Sequence, residues 1–106
     1  MKIELKFRHT PPSDELQAYV TDRTAKLQKF ELRPIRLECT FTAQKTAKRV
    51  DLHVRGLDVE IHAHSEAEDY FTGFDHALEK VARQLARKKA RLQEHIPLLP
   101  KPAKVS

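Results

Sequence analysis

The strongest constraint on the fold is a strict alternation of apolar and charged residues in KIELKFR, Lys2 to Arg8, which recurs in three later segments. Because successive side chains of a β-strand point to opposite faces, this alternation predicts strands with one buried face and one face in water. The first strand would bury Ile3, Leu5 and Phe7. The apolar positions of the later strands are Ile35, Leu37, Cys39, Phe41 and Ala43, then Val50, Leu52 and Val54, then Leu57, Val59, Ile61 and Ala63.

Two segments of helical periodicity accompany the strands. The first runs from about Asp14 to Phe30 and follows Ser13, a residue type that caps helix N-termini. Its inward positions are Leu16, Val20 and Leu27. The second runs from about Ala67 to His95, and its apolar stripe comprises Phe71, Phe74, Leu78, Val81, Leu85 and Leu92.

The element order is therefore β-α-β-β-β-α, with turns predicted at residues 44–49 and 55–56. Four strands with one apolar face each, and two amphipathic helices to cover that face, predict a two-layer α+β sandwich with both helices on one side. The right-handed crossover through the first helix would make the first strand parallel to the second, so the four-stranded sheet is mixed. Residues 1–95 form one domain in this prediction, and residues 96–106, with three prolines, form a tail without fixed structure.

Charge and cysteine content narrow the class of protein. The net charge of +5 and pI of about 9.5 mildly favour a polyanionic partner. Cys39 is the only cysteine, which excludes an internal disulfide and a cysteine-based zinc site and suits a reducing compartment. No signal-peptide pattern and no apolar run of about 20 residues is present. We therefore predict a cytoplasmic protein without a membrane partner.

The last helix carries the clearest functional signal. From Lys80 to Arg91 it has six basic residues and no acidic one. A helix dipole favours cations in its last turn, but this run covers about three turns. Like-charged pairs at i, i+4, such as Arg83 with Arg87, each cost a few tenths of a kcal/mol. The outer stripe could be an ordinary solvated face, but its unmixed sign favours a surface that binds a polyanion.

Other basic residues extend this surface. Lys26 and Lys29 lie on the outer side of the first helix, and Lys45, Lys48 and Arg49 occupy the long hairpin turn. Nothing indicates readout of base edges, so binding would follow the phosphate backbone and depend strongly on salt. Phe71 is predicted to belong to the core, while Tyr70 could either pack or stack on bases.

A metal site is the first rival interpretation. His62 and His64 lie two positions apart on one strand and therefore point to the same face, but the sequence offers no clear third ligand. Asp58 and Glu60 share that face, so a polar, solvated stripe is the better interpretation. The sequence predicts no metal and no cofactor.

Catalysis is the second rival. Asp51 and His53 share a strand face, but no serine or cysteine is placed to act as their nucleophile. Cys39 alternates with Leu37 and Phe41 and reads as a buried small residue. The two glycines make no phosphate-binding loop. We predict no enzymatic activity and no small-molecule substrate.

Two segments resemble a known family. HSEAEDYFTGFDHALEKVARQLARKKARLQEH, residues 64–95, is similar to the signature region of the ribosome hibernation-promoting factors, also described as sigma-54 modulation or ribosomal subunit interface proteins. DELQAYVTDRTAKLQKF, residues 14–30, resembles the opening helix of that family. The resemblance covers roughly residues 1–95, and its specificity comes from the order and spacing of the motifs together.

The resemblance implies a β-α-β-β-β-α fold similar to double-stranded RNA-binding domains, and a translation inhibitor without catalytic activity. Members of the family bind the small ribosomal subunit in the channel that holds mRNA and tRNA, and they silence translation under stress or in stationary phase. By this resemblance the partner is the small subunit with its rRNA, and the free protein is monomeric. The implied rRNA contacts are Lys26, Lys29, Lys80, Arg83, Arg87, Lys88 and Arg91, to which charge patterning adds Lys45, Lys48 and Arg49.

Two departures from the family pattern leave details open. The loop RHTPPSDEL, residues 8–16, differs from the usual lead into the first helix. The 11 residues after His95 include neither the second domain of long members nor the acidic tail of some short members. Promotion of ribosome dimers and inactivation of single ribosomes are therefore both open. A general double-stranded RNA-binding module and a protein-interaction regulator of transcription are the alternative functions.

Overall fold

The computed structural model describes residues 2–25, 27, 34–57 and 59–94. Within them the chain has the predicted element order. Some residues used in the sequence-based predictions lie outside the described residues. They are Phe30, the predicted end of the first helix, Asp58 of the polar strand face, the basic residues Lys26 and Lys29, and the tail after His95. The elements are β1 (Lys2–Arg8), α1 (Asp14–Thr24), β2 (Pro34–Ala43), β3 (Lys48–Gly56), β4 (Glu60–Ala67) and α2 (Tyr70–Glu94).

The sheet is four-stranded and mixed, with strand order β1-β2-β3-β4. β1 is parallel to β2, and the two hairpins that follow are antiparallel. In this register Leu5 pairs with Cys39, and Cys39 pairs with Leu52. The alternating apolar residues of neighbouring strands therefore meet on one face, and the predicted α+β architecture is confirmed.

The core lies between this inner sheet face and the two helices. Leu37, Cys39, Phe41, Val50 and Val54 are fully buried. α2 contributes Phe74, Val81 and Leu85 with no exposed surface, α1 contributes Leu16 and Val20, and Leu27 after α1 is also buried. At about 25 cal/mol per Å² of apolar surface, such burial is the main stabilising contribution to a domain of this size.

α1 begins as predicted and ends earlier. The Ser13 hydroxyl accepts a hydrogen bond from the Leu16 N–H (3.2 Å), which satisfies one of the free donors of the first turn. The helix ends at Thr24 rather than near Phe30. Leu27 is nevertheless buried, so the apolar position that suggested a longer helix does contact the core.

The two predicted turns begin or end at other residues in the structure. The turn after β2 is closed at Gln44, whose N–H donates to the Ala47 carbonyl (2.9 Å), so Lys48 and Arg49 already belong to β3. β3 runs on to Gly56, whose N–H donates to the Val59 carbonyl (2.8 Å). Leu57 therefore lies in the turn and is 67% exposed, and its predicted burial was wrong.

α2 begins at Tyr70 rather than at Ala67, because β4 continues to Ala67 in register with Lys48. Asp69 precedes the first turn, and its carboxylate accepts from the N–H and the hydroxyl of Thr72 (2.8 and 2.9 Å). One turn later Gly73 brings the helix close to the sheet, and its carbonyl accepts a hydrogen bond from the Ser65 hydroxyl. The start of α2 is thus defined by one cap and one close contact.

Candidate nucleic-acid interface

The outer side of α2 carries exposed basic side chains, as its periodicity predicts. Arg83 and Arg87 are one helical turn apart and both exposed. Within the described part of the chain neither guanidinium has a carboxylate partner. Lys88 is half-buried beside them, whereas Arg91 lies in α2 with a side chain outside the described atoms. The helix thus presents cations whose charge is not neutralised by the protein itself.

A shallow depression of about 310 Å³ lies where this helix meets the start of β4. Its lining combines Arg87 and Lys88 with Gln84 on the helix side and Glu60 and Ile61 on the sheet side. Periodicity along one helix does not show that the helix and β4 form a concave surface there. A concave basic surface suits a phosphate backbone better than a convex one, because more charges lie close to the polyanion.

Lys80 is exposed, but its ammonium group is already engaged. Its Nζ donates to the His64 carbonyl of β4 (2.8 Å). Lys80 therefore contributes positive charge at the junction of helix and sheet, and the other two N–H donors of its ammonium group stay available to a ligand.

The basic residues around the β2–β3 turn are separated from one another by strand alternation. Lys45 is exposed in the turn. Lys48 lies at the start of β3 with its Nζ 5.5 Å from the centre of the Tyr70 ring, at the N-terminal end of α2. Residues 70 and 87 are about 25 Å apart along a helix, so Lys48 and Arg87 mark two basic regions at opposite ends of α2.

Arg49 points to the other side of the sheet. Its Nε and Nη2 each lie 2.9 Å from a carboxylate oxygen of Asp51, and its Nη1 lies 3.8 Å from Glu66. The pKa of Arg49 is raised by the hydrogen bond to Asp51. With two carboxylates beside it, this guanidinium adds little net charge to a binding surface, in contrast to Arg83 and Arg87.

The aromatic residues near the start of α2 are structural. Tyr70 packs edge-on against Phe41 (5.2 Å between ring centres), and Phe71 packs edge-on against Tyr19 (5.0 Å). Phe71 thus packs against the core as predicted, and the open question about Tyr70 is answered in favour of packing. Base stacking is not what these rings are placed to do.

One link between the helices was not foreseen from the sequence. The Tyr19 hydroxyl of α1 donates to Asp75 of α2 (2.6 Å), and this bond raises the pKa of Tyr19. The Arg23 guanidinium lies 4.5 Å from the centre of the Tyr19 ring. The contact fixes α1 against α2 and so fixes how their outer surfaces sit side by side.

The outer sheet face is polar and titratable. His62, His64 and Glu60 are exposed there, as the alternation predicts. Arg36 is held between Glu4 (2.8 Å) and Glu38 (3.1 Å), and this pairing lowers the pKa of Glu4 and raises that of Arg36. On this face Arg36 and Arg49 are paired with acids, whereas Arg83 and Arg87 of α2 have no carboxylate partner within the described residues. No described helix has the length and apolar character needed to span a membrane.

Curated relatives are similar over nearly the whole chain. The ribosome hibernation promoting factor of Salmonella typhimurium is 31% identical over 97 residues, which cover 90% of this chain and 100% of the relative. The protein of the same name from Escherichia coli K12 is 30% identical over the same extent. Both relatives therefore match the β-α-β-β-β-α domain as a unit.

Solved structures and a family model agree with this similarity. A ribosomal subunit interface protein from Coxiella burnetii superposes with a TM-score of 0.79 at 23% identity, covering 85% of this chain and 99% of that one. The N-terminal domain of Thermus thermophilus Protein Y gives 0.77 at 19% identity, covering 83% and 99%. These two show the same fold. Because residues 3–93 match its family model, the chain belongs to the sigma 54 modulation protein / S30EA ribosomal protein family.

Proposed function

We propose that this protein is a ribosome hibernation factor that binds the small ribosomal subunit through a basic surface on α2. The term basic surface denotes a set of basic side chains. The described ones are Lys45, Lys48, Lys80, Arg83, Arg87 and Lys88. Lys26, Lys29 and Arg91 are included on the basis of the sequence alone. The single observation that carries the proposal is the pair of exposed guanidinium groups of Arg83 and Arg87 on α2, which have no carboxylate partner in the described chain. Arg36 and Arg49 of the outer sheet face are, by contrast, paired with carboxylates.

The mechanism is occupation of space. The protein docks in the channel of the small subunit where mRNA and tRNA bind, and its presence there excludes both. Guanidinium groups bind phosphate oxygens in a bidentate manner, and lysines add mobile point charges. The rigid two-layer domain holds these groups in place before binding, which lowers the entropic cost of association. No catalytic step is needed.

The names of the relatives support the ribosome as the partner, because the two relatives described above are both called ribosome hibernation promoting factors. A factor of this kind acts in the cytoplasm, where ribosomes are, and we expect it to be needed when translation is reduced under stress or in stationary phase. We expect the free protein to be monomeric.

The test is co-sedimentation with purified small subunits. We expect the wild-type protein to pellet with them at low salt, and the double variant Arg83→Glu/Arg87→Glu to remain in the supernatant. Each lost phosphate contact weakens binding, and reversed charges add repulsion, so the affinity is expected to fall at least about 100-fold. Both side chains are exposed, so the variant is expected to fold normally.

Lys2→Glu/Lys6→Glu is the matched control. It changes the net charge by the same amount at two exposed lysines of β1, on the outer sheet face. Equal loss of binding in both variants would mean that only total charge matters and would contradict docking through α2. Full competition by excess plain duplex RNA would favour a general double-stranded RNA-binding module. Binding that survives nuclease and high salt would favour a protein-interaction regulator.

A further inference from the structure

The outer sheet face brings together two histidines and one glutamate from neighbouring strands. His53 of β3 and His62 of β4 are direct cross-strand partners. Their rings stack with centres 3.9 Å apart and planes 17° apart. The Glu60 Oε2 atom lies 3.0 Å from His53 Nε2 and 4.0 Å from His62 Nε2. Three atoms that can bind a metal therefore lie close together on the surface, with Arg55 Nε 3.5 Å from His53 Nε2 at its edge. Because the two rings are nearly parallel, His62 must turn out of the stack for both nitrogens to face one ion.

A second layer of residues orients His53. Its other ring nitrogen, Nδ1, lies 3.6 Å from Glu38 Oε1, and Glu38 in turn contacts Arg36 Nε at 3.1 Å. The His53 side chain is only 15% exposed, so its ring has little freedom. A carboxylate behind the far nitrogen of a histidine is the usual outer-shell arrangement of metal sites, because it fixes the ring and makes the near nitrogen more basic.

We propose that His53, His62 and Glu60 form a site for a divalent transition-metal ion of the zinc type. The three candidate ligand atoms lie within 4.8 Å of one another. Ligand atoms around a tetrahedral zinc ion are about 3.3 Å apart, which follows from metal–ligand distances of about 2.0–2.1 Å. The His53–Glu60 separation of 3.0 Å is already close to this value, and His62, which is 71% exposed, can move to close the longer distance.

The donor set selects the kind of ion. Two imidazoles and one carboxylate suit zinc and its neighbours, while calcium and magnesium prefer oxygen ligands alone. Three protein ligands leave a position for water or for a group from a partner molecule. From the sequence, only His62 with His64 comes into consideration, and no metal is predicted. In the structure the histidine next to His62 comes from β3, and only the register of the hairpin reveals it.

The two histidines of the site are separate from the proposed ribosome-binding surface. His53 and His62 lie on the sheet face opposite to α2, so His62→Ala is not expected to change co-sedimentation with small subunits. Glu60 also lines the depression beside Arg87 and Lys88 and is therefore left unchanged in this test. Failure of one proposal would therefore leave the other intact.

The test is calorimetric titration of the untagged protein with zinc sulfate, because a polyhistidine tag would itself bind zinc. We expect one saturable site per chain in the wild type and no saturable binding in His62→Ala. Glu38→Gln is expected to weaken binding about 10-fold through its effect on His53.

His64→Ala is the control, since this exposed histidine lies on the same strand and face two residues away. It is expected to bind zinc as the wild type does. Circular dichroism verifies that all variants are folded. Absence of saturable binding in the wild type, or equal loss of binding in His64→Ala and His62→Ala, would overturn the proposal.

Discussion

Cys39 illustrates how position alone controls the chemistry of a residue. It lies in the middle of β2, fully buried between Leu5 of β1 and Leu52 of β3 in the register of the sheet. Burial, and the nearby negative charge of Asp51, raise the pKa of its thiol well above the usual range. Because the thiolate is the reactive form, the folded protein keeps this cysteine inert.

We therefore expect Cys39 to be protected from thiol reagents in the native protein. Labelling with a chromogenic disulfide reagent is expected to be at least about a thousand-fold slower without denaturant than in concentrated urea, since reaction requires the core to open. Fast labelling under native conditions would mean that β2 is accessible and would contradict the buried position.

Asp69 gives a prediction about pH. The hydrogen bonds from Thr72 lower the pKa of Asp69 below its usual value of 3.8 in the folded state. A group whose pKa is lower in the folded than in the unfolded state contributes stability above the unfolded pKa, and this contribution is lost as the pH falls through the folded pKa. We expect Asp69→Asn, which still accepts the hydrogen bond but does not titrate, to lose less stability than wild type on acidification below about pH 4.

Urea unfolding at several pH values measures this difference. Glu15→Gln is the control, because Glu15 is an exposed acid in the first turn of α1. Parallel pH profiles for wild type and Asp69→Asn would show that the cap does not couple to stability.

The sequence predicts the role and burial of some single residues, but not the contact partners of others. Ser13 and Cys39 were predicted correctly because capping and strand alternation are local rules. The Tyr19–Asp75 bond and the packing of Tyr70 on Phe41 join residues far apart in the chain, and no local rule fixes such partners. Local chemistry is readable from the sequence, whereas partners across the core require the fold.

At the level of elements, α2 depends on a close approach at Gly73. A Cβ atom at this position would lie 3.1 Å from Val50 Cγ2, 3.5 Å from Ser65 Oγ and 3.7 Å from Ala67 Cβ. A methyl group would therefore fit only if Val50 moved by a few tenths of an ångström, and a larger side chain would need a larger shift of the helix or the sheet. Helix propensity alone would disfavour glycine here by about 1 kcal/mol, so packing outweighs propensity at this turn.

We expect Gly73→Val to destabilise the protein by about 1–3 kcal/mol, because a branched side chain must displace Val50 or lift the helix. His76→Val is the matched control on an exposed position of the same helix, and its expected change is within about 0.5 kcal/mol. Thermal unfolding compares the two. An equal melting temperature for Gly73→Val and wild type would contradict the close packing.

Element boundaries show the limits of pattern reading in the same way. Alternation predicted that Leu57 would face the core, but β3 extends to Gly56, and Leu57 falls in the turn. Lys48 and Arg49 were assigned to a turn by composition, although cross-strand pairing with Ala43 and Thr42 places them in β3. Existence and order of the elements follow from periodicity, while their ends depend on pairing and turn hydrogen bonds.

For the whole molecule, the distribution of charge matters more than its sum of +5. Two arginines of the outer sheet face are neutralised by acids, Arg36 by Glu4 and Arg49 by Asp51. The only charged residues of α2 from Lys80 to Arg91 are bases. Sequence patterning identified the helix, but only the structure showed that Asp51 neutralises Arg49.

This arrangement predicts the salt dependence of binding. Release of counterions makes the logarithm of the affinity for RNA fall linearly with the logarithm of salt concentration, with a slope close to the number of phosphate contacts. We expect Arg83→Ala/Arg87→Ala to make this slope shallower by about 2, and Arg49→Ala to leave it nearly unchanged. Fluorescence anisotropy with a labelled rRNA fragment over a range of salt measures both, and equal slopes for the two variants would contradict the division into two sides.

The contact between Lys80 and the His64 carbonyl has a consequence for the solution behaviour of the protein. β4 is an edge strand, and backbone groups at the edge of a sheet invite pairing with another chain. Lysine at an edge opposes such pairing, because addition of a strand would bury its charge. By donating to the His64 carbonyl, Lys80 occupies one backbone acceptor of β4 and places a positive charge beside this strand. An approaching strand would meet this charge, so the side chain that adds charge to the helix also makes pairing at this edge less favourable.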